Sequence, residues 1–104
     1  MTKYVLTYHG GSGMPEDPAE IERLMGAWGT WFEGMGEAVV DGGNPFGDST
    51  TVSPDGSTSS GRSIDVSGYS ILNADSLEAA VDLAKGCPVL EGGGTVQVSE
   101  ALEM

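Results

Sequence analysis

The sequence predicts an α+β fold with elements in the order β-α-β-(hairpin)-β-α-β. Three observations carry that reading. Residues 17–41, DPAEIERLMGAWGTWFEGMGEAVVD, form one amphipathic helix turning directly into a strand. Residues 75–85 repeat the same capping logic for a second, weaker helix. Between and around them, apolar and polar residues alternate in short runs bounded by Gly, Pro, Asp and Ser, the pattern of strands and turns. A chain of 104 residues suits one domain, spanning 1–104, with 100–104 an acidic tail expected to fray.

The elements follow in order. Residues 3–8 alternate, with Tyr4, Leu6 and Tyr8 on one side and Lys3, Val5 and Thr7 on the other, as in a strand covered on both faces. His9 and the Gly10-Gly11-Ser12-Gly13 loop follow. The loop has neither GxGxxG nor GK[ST], so turn chemistry accounts for it better than phosphate binding.

Asp17 caps the first helix and Pro18 takes its first position. Glu20 stands where a capping box would reach back to the cap. Ile21, Leu24, Met25, Trp28, Trp31, Phe32 and Met35 keep i, i+3, i+4, i+7 spacing and share one face. Gly36 is the expected stop. Gly26, Gly29 and Gly34 inside the helix each cost about 1 kcal/mol relative to alanine. Close approach of another backbone would explain them.

Residues 37–41 read as the second strand. Residues 49–53 read as one arm of a short hairpin, and Pro54-Asp55-Gly56-Ser57 as its turn, on a long loop over 42–61. Residues 68–72 are the firmest part of the next strand region, 62–73. In the second helix Leu77, Ala80, Val81 and Ala84 line one face, and Gly86 and Pro88 end it. Gly92-Gly93-Gly94 is a turn into a last strand over 95–99.

Two strand–helix–strand units give a ferredoxin-like sheet with both helices on one face. The other face then presents Val5, Val39 and their neighbours, more apolar surface than a monomer normally leaves bare. A homodimer that stacks two such faces is expected.

Composition excludes several classes. The formal charge is −12, from 16 acidic and 4 basic side chains. Phosphate-backbone binding needs clustered Lys and Arg, so nucleic acid is not expected as a partner, and neither is an anionic membrane surface. The charge serves solubility, and also suits a salt-adapted source or a basic partner. No segment approaches the ~20 apolar residues of a membrane span. The start is not a signal peptide, and the single cysteine, Cys87, cannot form an internal disulfide. A cytoplasmic location is expected. Asp41, Asn44, Asp48 and Asp55 do not follow calcium-loop spacing, and no metal cluster or cofactor fingerprint is present.

Four stretches carry a family resemblance: YVLTYHG, WGTWFEGMGEAVVDGG, GYSILNADSLEAAVDLAKGCP and GGTVQVSE. Together they span nearly the whole chain. In these the chain resembles the YCII-related proteins, in particular the DGPF-type branch. The resemblance implies a dimeric α+β barrel of ferredoxin-like halves, and for some relatives a His–Asp catalytic pair. The chain departs from the pattern in two places. The DGPFAETKE block is shortened to SSGRSID at 59–65, and Met25 and Trp28 stand where a helix histidine is expected.

His9 is the only histidine, so any imidazole chemistry must use it. Asp41 closes the second strand. Parallel strands would bring both to the same end of the sheet, where a carboxylate can orient the ring for general acid–base work. Tyr8, Trp28, Trp31 and Tyr69 would wall a cleft for a small flat or apolar ligand, with Arg62 available to an anionic group. Simpler roles stand beside these: a turn for His9 and Asp41, core for the tryptophans, and a surface ion pair for Arg62. The functions this leaves open are a proton-transfer enzyme of isomerase or lyase type, a non-catalytic small-molecule binder, and an interaction or regulatory module for a protein partner.

Overall fold

A computed structural model of the chain describes residues 2–10, 16–62 and 64–103. The rest of the glycine-rich loop, residues 11–13, and Ser63 of the 59–65 block lie outside them. The fold is α+β: β1 (Thr2–His9), α1 (Pro18–Met35), β2 (Val39–Asp41), β3 (Thr50–Val52), β4 (Thr58–Ser60), β5 (Gly68–Ala74), α2 (Leu77–Ala84) and β6 (Thr95–Glu100). Four strands form one sheet in the order β2-β5-β1-β6, and β3 and β4 pair as a separate hairpin. Every pairing of neighbours is antiparallel. Because β1 and β2 both run opposite to β5, they are parallel to each other.

Local chemistry sets the helix ends. The Asp17 carboxylate accepts the Ala19 N–H at 3.0 Å, and Ser76 caps α2 by accepting the Ala79 N–H at 3.1 Å. Glu20 does not close a capping box. Its carboxylate turns to Arg23 Nε at 3.1 Å, and Arg23 also reaches Glu91 at 3.2 Å. Gly36 ends α1 with φ at 55°, followed by a short 3-10 turn, Gly36–Ala38. The second strand therefore begins at Val39, two residues later than its sequence suggests.

One face of the sheet carries the core. Leu6, Tyr8 and Leu72 meet Ala84 and Cys87, with Trp28, Trp31 and Met35 of α1 packed on them. Tyr4, Ala74 and Ala80 form a second cluster beside it. Both helices thus lie over the same face. α2 approaches on alanines and sits close to the sheet, whereas α1 stands off on its large aromatics. The α1 stripe is only partly used, since Met25 is 58% exposed. In α2 only Ala80 and Ala84 of the predicted stripe are buried, while Leu77 is half exposed. An added Cβ on Gly26, Gly29 or Gly34 would meet nothing within 4 Å, so the described residues make no close approach to them.

Val39 is not on the open face. It pairs with Leu72 and packs on the core, and a register shift between Val39 and Asp41 leaves Val40 exposed. That irregularity turns the strand over, as β-bulges do. The open face is built from Val5, Thr7 and His9 of β1 and Tyr69, Ile71 and Asn73 of β5, each half-buried. No described helix is long and apolar enough to cross a membrane. The molecule measures 44 × 42 × 19 Å, a plate one sheet and one helix layer thick.

Candidate functional site

The sheet divides the predicted site residues between its two faces. Tyr8 points into the helix layer, where its ring meets Trp28 edge-on at 5.1 Å and Trp28 meets Trp31 at 5.6 Å. The Trp31 indole N–H is spent on the Leu83 carbonyl at 3.0 Å. Tyr69 lies on the open face, with Asp41 and His9. The four aromatics therefore do not wall one cleft, because strand alternation sends Tyr8 and Tyr69 to opposite sides.

His9 ends β1 and folds back along the open face. Its Nδ1 lies 2.7 Å from the Asp65 carbonyl oxygen and its Nε2 lies 2.8 Å from the Thr7 hydroxyl. A carbonyl only accepts, so Nδ1 carries the proton, and in the neutral ring the Thr7 hydroxyl donates to Nε2. The ring is fixed in one tautomer with its basic nitrogen on the sheet face. The orienting group is a backbone carbonyl rather than Asp41.

Asp41 makes other contacts. One carboxylate oxygen accepts the Gly43 N–H at 2.8 Å, an Asx-type turn, and the other accepts the Tyr69 hydroxyl at 3.5 Å. Thr7 faces Tyr69 and Asp41 faces Ile71, with β5 between β1 and β2. By strand spacing and rise, the His9 and Asp41 Cα atoms are on the order of 15 Å apart. The two lie on the same face of the sheet, but His9 stands past the start of β5 and Asp41 opposite its middle, and they do not touch.

Arg62 holds a different group. Its Nη2 donates to the Phe46 and Gly47 carbonyls at 3.1 and 2.7 Å, and its guanidinium lies over the Phe46 ring at 5.9 Å. Phe46 in turn stacks on Tyr69 at 5.9 Å. The result is a layered Arg62–Phe46–Tyr69 arrangement on the open face, with Asp41 against the tyrosine hydroxyl. Phe46 was not legible in the sequence, where it sits in a Gly- and Pro-rich loop. Its place is set by the Pro45–Gly68 bridge and by the Phe46 N–H donating to the Ser67 carbonyl at 2.8 Å. Thr7 was findable, being two residues from His9 on the same side of the strand.

No family model matches the chain, and no curated protein does.

The helix side has its own groove, between α1 and the turn after α2. It holds about 440 Å³ and is lined by Trp31, Lys85, Cys87, Pro88, Leu90 and Glu91. Burial pushes the Cys87 thiol up to about 11 and keeps it protonated, so it is a packed wall residue rather than a nucleophile. No group of three or more metal-ligating side chains occurs among the described residues.

Proposed function

We propose that this chain is a small-molecule-binding domain of the YCII-related type, a ferredoxin-like half that stacks its open sheet face on a second copy. The strand order β2-β5-β1-β6 with both helices on one face supports the ferredoxin-like reading. The observation that carries the proposal is the open face itself. Val5 and Ile71 lie across it half-buried, Tyr69 is capped by Phe46, and Val40 and Phe46 are exposed. Surface area agrees. A compact monomer of this mass exposes about 5,500 Å², against 6957 Å² here. The surplus exceeds the ~800 Å² that each partner of a standard interface buries.

In this reading the ligand sits at the polar end of the stacked faces, beside Tyr69, Phe46 and His9. The aromatic surfaces suit a small flat molecule. The acidic surroundings, with Arg62 already committed to two carbonyls, favour a neutral ligand over an anion. His9 is the residue for proton transfer, its tautomer set by the Asp65 carbonyl, so that Nε2 can take a proton once Thr7 turns away. Asp41 acts through Tyr69 and not on the imidazole. A non-catalytic binder would use the same surface without needing Nε2. A cytoplasmic setting belongs to the same reading, supported by the lone cysteine.

Light scattering tests the dimer: the expected mass at micromolar concentration is twice 10.7 kDa, and a monomer would overturn the reading. A screen of neutral aromatic and carbonyl compounds, followed by NMR, tests the site. The expected result is perturbation of the Tyr69, Phe46 and His9 signals. If turnover is found, His9→Ala abolishing it with binding retained would assign the catalytic form.

A further inference from the structure

Thr7 and His9 share one face of β1, and the Thr7 hydroxyl donates to His9 Nε2 at 2.8 Å. The other ring nitrogen, Nδ1, donates to the Asp65 carbonyl at 2.7 Å. A hydroxyl that donates to a base, with that base oriented by a third group, is the arrangement that activates a hydroxyl as a nucleophile. The orienting carbonyl is itself held in place. The Ser67 N–H and hydroxyl both donate to the Tyr8 carbonyl, at 2.7 and 3.1 Å, and the Val66 N–H donates to the Ile64 carbonyl at 3.0 Å. The segment before β5 is thereby fastened to the end of β1. Two cross-strand neighbours flank Thr7. Tyr69 of β5 stands opposite it on one side and Gln97 of β6 on the other. Val96 and Val98 pack on the core, so alternation sends Gln97, which is exposed, to the open face. Directly opposed residues have Cβ atoms about 4.5–5.5 Å apart. The Gln97 carboxamide can therefore bring its N–H donors to a group bound at the Thr7 hydroxyl.

We propose that Thr7 is the nucleophile of an acyl-transfer site that hydrolyses small neutral carboxylic esters carrying an aromatic group. The inference rests on the small-molecule reading above and deepens it, since the proton that Nε2 takes is that of Thr7 itself. Thr7 Oγ1 attacks the ester carbonyl carbon as its proton passes to Nε2, and the C=O π pair moves onto the carbonyl oxygen. Gln97 supplies N–H donors to that oxyanion. Collapse restores the C=O and breaks the bond to the leaving oxygen, which takes the proton back from Nε2. Water then attacks the acyl–Thr7 ester, gives a proton to Nε2, and a second collapse releases the acid and returns that proton to Thr7. Ester and water become acid and alcohol, with no further reactant. Charge and shape select the substrate. At a net charge of −12 the chain repels phosphate esters and other anions, and it repels the carboxylate product once formed. The Phe46–Tyr69 stack, on the β5 side of Thr7, offers an aromatic wall to a flat substituent.

The full chain is treated with 4-nitrophenyl acetate. The expected result is release of 4-nitrophenolate with an initial burst, and an acetyl group mapped to Thr7 by peptide mass spectrometry. Thr7→Val, which keeps the β-branched shape, and His9→Ala should each lower kcat/KM by at least about 100-fold, whereas Thr7→Ser should retain turnover. Gln97→Leu should lower kcat by about 100-fold with KM little changed. Near-ultraviolet circular dichroism of Trp28 and Trp31 checks the fold of each variant, and acetyl mapping on the unaltered chain decides the matter should one fail to fold. Binding alone is read with 4-nitroacetophenone, an aryl ketone that cannot be hydrolysed, from the NMR signals of Tyr69 and Phe46. Binding of the ketone with no acetyl group on Thr7, or with acetylation only at amines such as Lys3, would overturn the nucleophile and leave the small-molecule reading standing. Neither binding nor turnover would overturn both.

Discussion

At the scale of single residues, the buried polar groups share one logic. The Tyr8 hydroxyl donates to Ser70 Oγ at 2.6 Å, and Ser70, fully buried, donates onward to the Gly42 carbonyl at 2.7 Å. That chain ties β1 to β5 and to the loop after β2, and among the described residues no buried side-chain oxygen is left unpaired. Burial pushes the Tyr8 phenol up to about 12, with the Ser70 hydrogen bond opposing it, and the buried Cys87 thiol goes up to about 11. In both cases the folded pKa is raised. The stability they contribute is intact below the unfolded values, roughly 8.5 for Cys and 10 for Tyr. It is lost as pH rises through the folded ones, because the unfolded chain ionises first. Thermal unfolding should therefore show a falling melting temperature from about pH 9 upward, and Tyr8→Phe should flatten the part of that fall above about pH 10. The same change removes one hydroxyl pair and should cost about 1 kcal/mol at neutral pH. His9 and Asp41 were nameable from composition and strand ends. Their separation was not, because it depends on β5 inserting between β1 and β2, a pairing that leaves no local mark.

Elements were the most legible level, and the exceptions are physical. Caps, turn residues and period-two alternation located both helices, the hairpin and the long strands. The second strand began late because Gly36 led into a 3-10 turn. Pairing with Leu72 put Val39 on the core side, the irregularity after it sent Asp41 to the other face, and a one-residue irregularity is invisible to a pattern of period two. Glycines separate the two kinds of position. Gly43 has φ at 74°, and a Cβ there would lie 1.7 Å from the Tyr69 carbonyl oxygen. No side-chain rearrangement relieves a clash with backbone, so Gly43→Ala should destabilise by more than about 3 kcal/mol in chemical denaturation. Gly26→Ala in α1 meets open space and should stabilise by about 0.5–1 kcal/mol. Failure of Gly26→Ala to do so in the assembled protein would mean that another surface needs that glycine.

For the whole molecule, charge and shape act together. Four basic side chains against 16 acidic ones make self-repulsion the main electrostatic term. The ion pairs among the described residues, Arg23–Glu20, Arg23–Glu91 and Lys85–Asp82, are exposed and contribute little. Added salt should therefore raise the melting temperature and tighten self-association, since screening relieves repulsion both within and between copies. Weaker self-association in 0.5 M than in 0.05 M sodium chloride would show that attraction between opposite charges governs the contact. The net charge was plain in the sequence. The open sheet face was inferable from the count of two helices, but a hairpin that joins neither core cluster was not, because nothing local distinguishes a hairpin that packs from one that does not. The plate form has a hydrodynamic consequence. A body more than twice as broad as it is thick drags more solvent than a sphere of equal mass. It will leave a sizing column early even as a single chain. Its tumbling will be anisotropic, so amide relaxation will depend on whether an N–H vector lies in the plane of the sheet or along its normal.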